Sequence, residues 1–238
     1  MTVRLDGIDL VVFDKDGTLI EFGAMWSGWA VALAAALHGA IGRSVDEPLF
    51  AMLGFDAATV TMLPGGGLAA TPMARLRERT RDVLVESGVE GAEADRALAA
   101  AWHAPDPVEL ARPLADLAGL FAGLHASGRR VAVATSDDRD PTERTLGALG
   151  VADAIDGLVC ADDGIPVKPA PDMVLRLCAD LGVEPGRTAV VGDSPADLRM
   201  GRAAGVGLVV GVLTGVGRRS DLEPEADAVI ESVEGLRA

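Results

Sequence analysis

The chain opens its apolar pattern with Ile8 to Phe13, a run that stops abruptly at Asp14. Similar runs recur in the second half: RVAVAT (130–135), GLVCA (157–161), TAVVGD (188–193) and GLVVGV (207–212), each separated from the next by a segment of helical spacing. Short, β-branched, almost wholly apolar runs with helices between them predict parallel βαβ units, in a sheet buried on both faces. Asp140-Pro141 and Ser194-Pro195 read as helix starts, an N-cap followed by proline at the first helical position. The fold class is α/β: a Rossmann-like parallel sheet with helices on both faces.

The first strand finds its partner only at residue 130, and the stretch between follows a different period. Trp26, Ala30, Leu33, Leu37 and Ile41 recur at helical spacing, Thr71-Pro72 begins a second amphipathic segment, and Ala92 to Trp102 forms a third. Residues 21–111 therefore read as an α-helical insertion without strands, splitting the core into 1–20 and 112–238. Glu21-Phe22-Gly23 and APDPVELARP (104–113) mark its edges. Pro64 with Gly65-Gly66-Gly67 reads as a flexible connection inside it.

Composition narrows the function. With 238 residues and 49% hydrophobic content, the chain can bury one large core plus an insertion. A net charge of −15 argues against a nucleic-acid surface, and RLRERTR (75–81), the densest basic patch, falls on a helix as a solvated face. The apolar helix around Trp29–Leu37 is too short to span a bilayer, and MTVRLDGIDL lacks a leader pattern, so a cytoplasmic protein without membrane contact is expected. Cys160 and Cys178 have no metal-type spacing and read as buried apolar residues. Of 21 basic residues 19 are arginine, and Asn, Gln and Tyr are absent. The two surviving lysines, Lys15 and Lys168, are therefore conspicuous.

The chemistry gathers at the strand ends, which is where open parallel sheets bind ligands. The first strand ends in Asp14-Lys15-Asp16-Gly17-Thr18, the second in Thr135-Ser136, and another in Gly192-Asp193-Ser194 with Asp197 one turn further. Lys168 sits in the loop VKPAPD ahead of a helix. Converging carboxylates cannot all stay ionised without a cation, and oxygen-only ligands favour Mg²⁺. Lys168 and the hydroxyls of Thr135 and Ser136 are left to hold an anionic group.

DKDGTL, a strand ending in Thr-Ser, the KPxPD lysine and GDSxxD, in that order, resemble the four motifs of the haloacid dehalogenase-like (HAD) superfamily, and within it the phosphoglycolate phosphatase-like group. The resemblance covers about residues 8–20 and 112–215, and the insertion resembles that superfamily's helical cap. It implies that Asp14 is the nucleophile, forming an aspartyl-phosphate, and that Asp16 protonates the leaving oxygen and then activates water. Mg²⁺ would be held by Asp14, the Asp16 carbonyl and Asp193, with Asp197 binding the metal's water or orienting Lys168. Thr135, Ser136 and Lys168 would bind the phosphate. Lys15 stands where the family varies, so it reads as structural rather than catalytic.

The implied activity is a Mg²⁺-dependent phosphatase for a small phosphomonoester, acting as a monomer or homodimer. Dehalogenases and P-type ATPases lack the second aspartate of this motif. A phosphomutase of the β-phosphoglucomutase type would share every core residue, and a non-catalytic phosphate-binding member is the other alternative. Gly192-Asp193-Ser194-Pro195-Ala196 approaches a nucleophile elbow, but Ala196 replaces the final glycine and no histidine follows His125.

Overall fold

The apolar runs of the second half assemble with the first into one parallel sheet. A computed structural model of the protein describes residues 1–63, 66–103 and 107–237. Its central strands are β1 (Leu10–Phe13), β2 (Arg130–Ala134), β3 (Gly157–Val159), β4 (Thr188–Gly192), β5 (Leu208–Val212) and β6 (Ala228–Ile230), in the spatial order β3-β2-β1-β4-β5-β6. All five pairings are parallel. Sheet order reverses beside β1, the place where doubly wound sheets open a crevice at the carboxyl ends. The sixth strand, three residues long, is too short to show a periodicity.

Alternation sorts the side chains. Val11, Phe13, Val131, Val133, Ala189 and Val191 pack on one face with Leu117, Phe121 and Leu124 of the helix Leu117–Ala126. Leu10, Val12, Ala132, Ala134 and Val190 pack on the other with Met173, Val174 and Leu177 of the helix Asp172–Leu181. Each fully buried aliphatic side chain of this kind contributes about 1.5–3 kcal/mol. Outside this sheet Val3–Arg4 pairs in parallel with Leu236–Arg237.

The chain forms two compact units, Met1–Phe22 with Pro107–Ala238, and Gly23–Asp106. The second is built on the helices Phe22–Ile41, Asp46–Leu53, Gly67–Ala70, Met73–Glu86 and Gly91–Ala101. Trp26, Ala30, Leu33 and Leu37 are buried, as their spacing predicts. The rings of Trp26 and Trp29 meet edge to face at 5.8 Å, and those of Trp29 and Trp102 at 5.3 Å. The Trp29 indole donates to the His103 carbonyl at 2.7 Å. These tryptophans are core of the helical unit.

Three local expectations need correction. The insertion does contain strands: Phe55–Asp56 pairs antiparallel with Thr61–Met62. Two residue pairs are too few to leave a pattern, and the turn is made by Asp56, whose carboxylate accepts from the Ala58 and Thr59 N–H groups. The helix expected to start at Asp140 starts at Arg139 with Asp138 as N-cap, so Asp140 lies within the first turn. Of the glycine stretch, Pro64 and Gly65 lie outside the described residues, as do Ala104–Asp106 at the insertion's edge. Gly66 and Gly67 are packing positions: a Cβ on Gly66 would lie 2.7 Å from the Gly54 Cα, and one on Gly67 2.3 Å from the Met52 carbonyl oxygen. Among the described residues no helix is long and apolar enough to cross a membrane.

Candidate active site

Register sets the site. Phe13 lies opposite Val133 on one side and Val191 on the other, so the chain leaves three adjacent strands at nearly the same level. Asp14 continues β1 by donating its N–H to the Val191 carbonyl at 2.9 Å. The backbone then turns: the Lys15 carbonyl accepts from Leu19 and Ile20 at 2.9 and 3.0 Å, while Gly17 donates to the Ile20 carbonyl at 2.7 Å. Gly17 has φ 90, which a side chain rarely adopts, and a Cβ there would lie 2.6 Å from Asp193 Oδ2.

Asp14, Asp193 and Asp197 offer carboxylate oxygens within 4.8 Å of one another, and all three are buried. Lys168, also buried, places its Nζ 2.5 Å from Asp14 Oδ1 and 2.6 Å from Asp197 Oδ1. The Thr18 hydroxyl lies 3.1 Å from Asp193 Oδ1 and 3.4 Å from Asp14 Oδ2. Asp197 is aimed by a capping box at the helix Pro195–Ala204: Ser194 donates to Asp197 Oδ2 from its N–H at 3.0 Å and its hydroxyl at 2.6 Å. One carboxylate oxygen thus closes the helix and the other faces Lys168.

Burial lifts the Asp14 carboxyl to about 6, against the pull of the Lys168 ammonium and with Asp197 pushing the same way. Asp193 is lifted well above the usual range by burial, then by the Asp14 and Asp197 charges. Burial works to depress the Lys168 ammonium, but the Asp14 and Asp197 carboxylates outweigh it and hold it above the ordinary lysine value. Three buried carboxylates facing one ammonium leave negative charge in excess, and all their donors are oxygen. That set fits a hard divalent cation such as Mg²⁺.

Several supporting residues carry no signal in the sequence. Asp193 Oδ2 accepts the Val216 N–H at 2.8 Å, and Gly217 donates its N–H to the Asp193 carbonyl at 3.0 Å. A Cβ on Gly215 would lie 2.0 Å from Asp193 Oδ2, so the loop after β5 closes on this carboxylate with nothing but backbone. Thr214 donates its hydroxyl to the Gly17 carbonyl at 2.6 Å, joining the same loop to the turn after β1. The closely spaced glycines of TGVG are the only hint of this, and they do not say what they touch.

Thr135 is buried at the end of β2, where its N–H donates to the Val159 carbonyl at 3.0 Å. Ser136, next to it, is half-buried. The Asp16 side chain stands apart from the three clustered carboxylates: its Oδ2 lies 2.6 Å from the Nζ of Lys15. His38 and His125 sit on the helices Phe22–Ile41 and Leu117–Ala126, and His125 pairs with Asp156 at 2.9 Å, away from these residues in the sheet. Both cysteines are buried, and burial pushes the Cys160 thiol up to about 12.

Comparison with known proteins identifies the family and the fold. The family model for haloacid dehalogenase-like hydrolases matches residues 8–205. A phosphoglycolate phosphatase of Rhodospirillum rubrum is 32% identical over 203 residues, which is 84% of this chain and 78% of that protein. An N-acetylmuramic acid 6-phosphate phosphatase of Pseudomonas aeruginosa is 29% identical over 197 residues, 82% of this chain and 77% of that one. Among solved structures, a HAD phosphatase from Thermococcus onnurineus matches with a TM-score of 0.67 at 20% identity, covering 95% of each chain, a likeness of fold.

Proposed function

The chain belongs to the haloacid dehalogenase-like hydrolases, and on that premise we propose that it is a Mg²⁺-dependent phosphatase of a small phosphorylated metabolite. The observation that carries this reading is the buried grouping of Asp14 with Lys168, Asp193 and Asp197 at the end of the central strand. Asp14 is the nucleophile: its carboxylate oxygen attacks phosphorus and forms an aspartyl-phosphate. Asp16 gives a proton to the departing alkoxide and takes one from the water that hydrolyses the acyl-phosphate. Lys168, Thr135 and Ser136 bind the phosphoryl oxygens, and Lys168 is kept in place by Asp197. Asp14, Asp193 and the Asp16 carbonyl would hold Mg²⁺, with Asp197 next to them. When bound, Mg²⁺ supplies neutralisation of the charge shared by phosphate and carboxylates, which is most of what phosphoryl transfer needs.

The helical unit, assigned to residues 21–111, serves as a cap that excludes water during transfer and selects the alcohol that leaves. Relatives named for phosphoglycolate and for N-acetylmuramic acid 6-phosphate share this extent of similarity, which supports one core chemistry with the substrate chosen elsewhere.

The test is phosphate release from a panel of phosphomonoesters that includes those two compounds and p-nitrophenyl phosphate. Release that requires Mg²⁺, vanishes in EDTA and returns with excess Mg²⁺ but poorly with Ca²⁺ is expected. No release from any member, or full turnover in EDTA, overturns the proposal.

A further inference from the structure

Lys15 lies between the two aspartates given the chemistry, and its side chain is wholly buried. A buried ammonium is tolerated only where anions compensate it. Two do so here: Asp16 Oδ2 at 2.6 Å and Asp137 Oδ2 at 3.3 Å, from side chains that are 13% and 11% exposed. Burial works against the Lys15 charge, yet these two carboxylates outweigh it and hold the ammonium above its ordinary value.

Asp137 is itself anchored. Its Oδ1 accepts the Asp138 N–H at 2.9 Å, and its own N–H donates to the Thr135 hydroxyl oxygen at 3.1 Å. The ammonium therefore ties the turn after β1 to the loop after β2, two segments more than a hundred residues apart in the chain, and that loop carries Thr135 and Ser136. The two oxygens of Asp16 differ in consequence. Oδ2 is taken by Lys15, whereas Oδ1 is buried and accepts no hydrogen bond from the described residues.

Resting on the assignment of Asp16 as acid and base, we infer that Lys15 is a positioning residue: it pins Asp16 through Oδ2 and, through Asp137, aligns its carboxyl with the phosphate-binding loop. In the first step the Asp14–phosphorus bond forms and the phosphorus–alkoxide bond breaks, while the proton on the Asp16 carboxyl goes to the alkoxide and yields the free alcohol. In the second, water attacks phosphorus, one of its protons passes to the Asp16 carboxylate, the Asp14–phosphorus bond breaks, and phosphate and the Asp14 carboxylate are released. Lys15 gains and loses nothing in either step.

A leaving-group comparison tests this, because p-nitrophenolate departs without a proton and phenolate needs one far more. kcat/KM is measured on p-nitrophenyl phosphate and on phenyl phosphate, with Mg²⁺, for wild type, Asp16→Asn, Lys15→Met, Lys15→Arg and Asp137→Asn, each checked for folding by circular dichroism. Lys15→Met is expected to lose at least about tenfold more on phenyl phosphate than on p-nitrophenyl phosphate. Asp16→Asn should share that skew, Lys15→Arg should recover part of it, and Asp137→Asn should show it more weakly. Equal losses on both esters in Lys15→Met, or no loss on either, overturn the positioning role. If Lys15→Met does not fold, Asp137→Asn decides: it removes the carboxylate through which Lys15 is aligned with the second loop and leaves Asp16 itself intact, so a skew towards phenyl phosphate supports the positioning role and equal losses overturn it. Wild type inactive on both esters, or Asp16→Asn without skew, overturns the assignment of Asp16 itself, and the role of Lys15 falls with it.

Discussion

Among the described residues the α/β unit buries five charged side chains, Asp14, Lys15, Lys168, Asp193 and Asp197, whereas the buried polar side chains of the helical unit are the hydroxyls of Ser27 and Thr80. The aromatic inventory is reversed: all three tryptophans belong to the helical unit, where Trp26 and Trp29 are buried. The contrast follows from cost. Removing one partner of a buried ion pair costs about 3–5 kcal/mol, so charges are kept inside only where an opposite charge, hydrogen bonds or a bound cation compensate them. Apolar burial needs no such reciprocity, so one apolar side chain can replace another with modest effect. A buried charge points to chemistry, and a buried tryptophan to shape.

The sharpest way to break that division is at Asp14. Asp14→Asn keeps the volume and removes the attacking charge, so the protein should fold, bind Mg²⁺ more weakly and lose turnover by on the order of a thousandfold or more. Steady-state kinetics and calorimetric Mg²⁺ titration check this, and activity within about tenfold of wild type would sink the assignment.

Replacing the helical unit with a short Gly-Ser linker asks the converse question. If the unit supplies specificity and water exclusion, efficiency on the physiological ester should fall on the order of a hundredfold more than efficiency on p-nitrophenyl phosphate, while Mg²⁺ binding persists. Equal falls on both would assign the unit to catalysis in general. No fall would mean that it is not a cap.

The smallest change sits inside the helical unit. Gly54 has φ 73, and a Cβ there would lie 2.3 Å from the Gly66 Cα. Gly54→Ala should cost about 2–3 kcal/mol, through the left-handed backbone and the clash together. A thermal melt should show the loss, with turnover of p-nitrophenyl phosphate little changed below the transition. An unshifted melt would mean that the two backbones part easily and that the glycines are not packing positions.

The difference between the units also decides what could be read from the chain. Asp14, Asp193 and Lys168 are legible because each interrupts or follows an apolar run, and a carboxylate at the end of a buried strand has few other uses. The helices of the insertion are legible from Trp26, Ala30, Leu33 and Leu37. The contacts that hold the site are not. Val216 acts through its backbone N–H, Gly215 through the absence of a side chain, and Asp137 through a lysine far from it in sequence. Lys15 left a compositional trace as one of two lysines, but spacing alone could not show that it is buried or that it faces two carboxylates. The hairpin at Phe55–Met62 and strand β6 are hidden for a simpler reason: elements of two or three residues have no period, and these are not embedded in a longer apolar run as β3 is in GLVCA.

The pairing of Val3–Arg4 with Leu236–Arg237 has a consequence for how the chain can be cut and rejoined. Among the described residues these two strands are each other's only ladder partners, so removing either one strips the other of its backbone hydrogen bonds. Because the pairing is parallel, the chain enters this ladder at Val3 and leaves it at Arg237 on the opposite side, so a join between them must cross the length of the ladder. Closure cost grows slowly with linker length, so such a crossing linker would add little entropic cost, and the chain could then be opened in an exposed loop of either unit without disturbing the order of the central sheet.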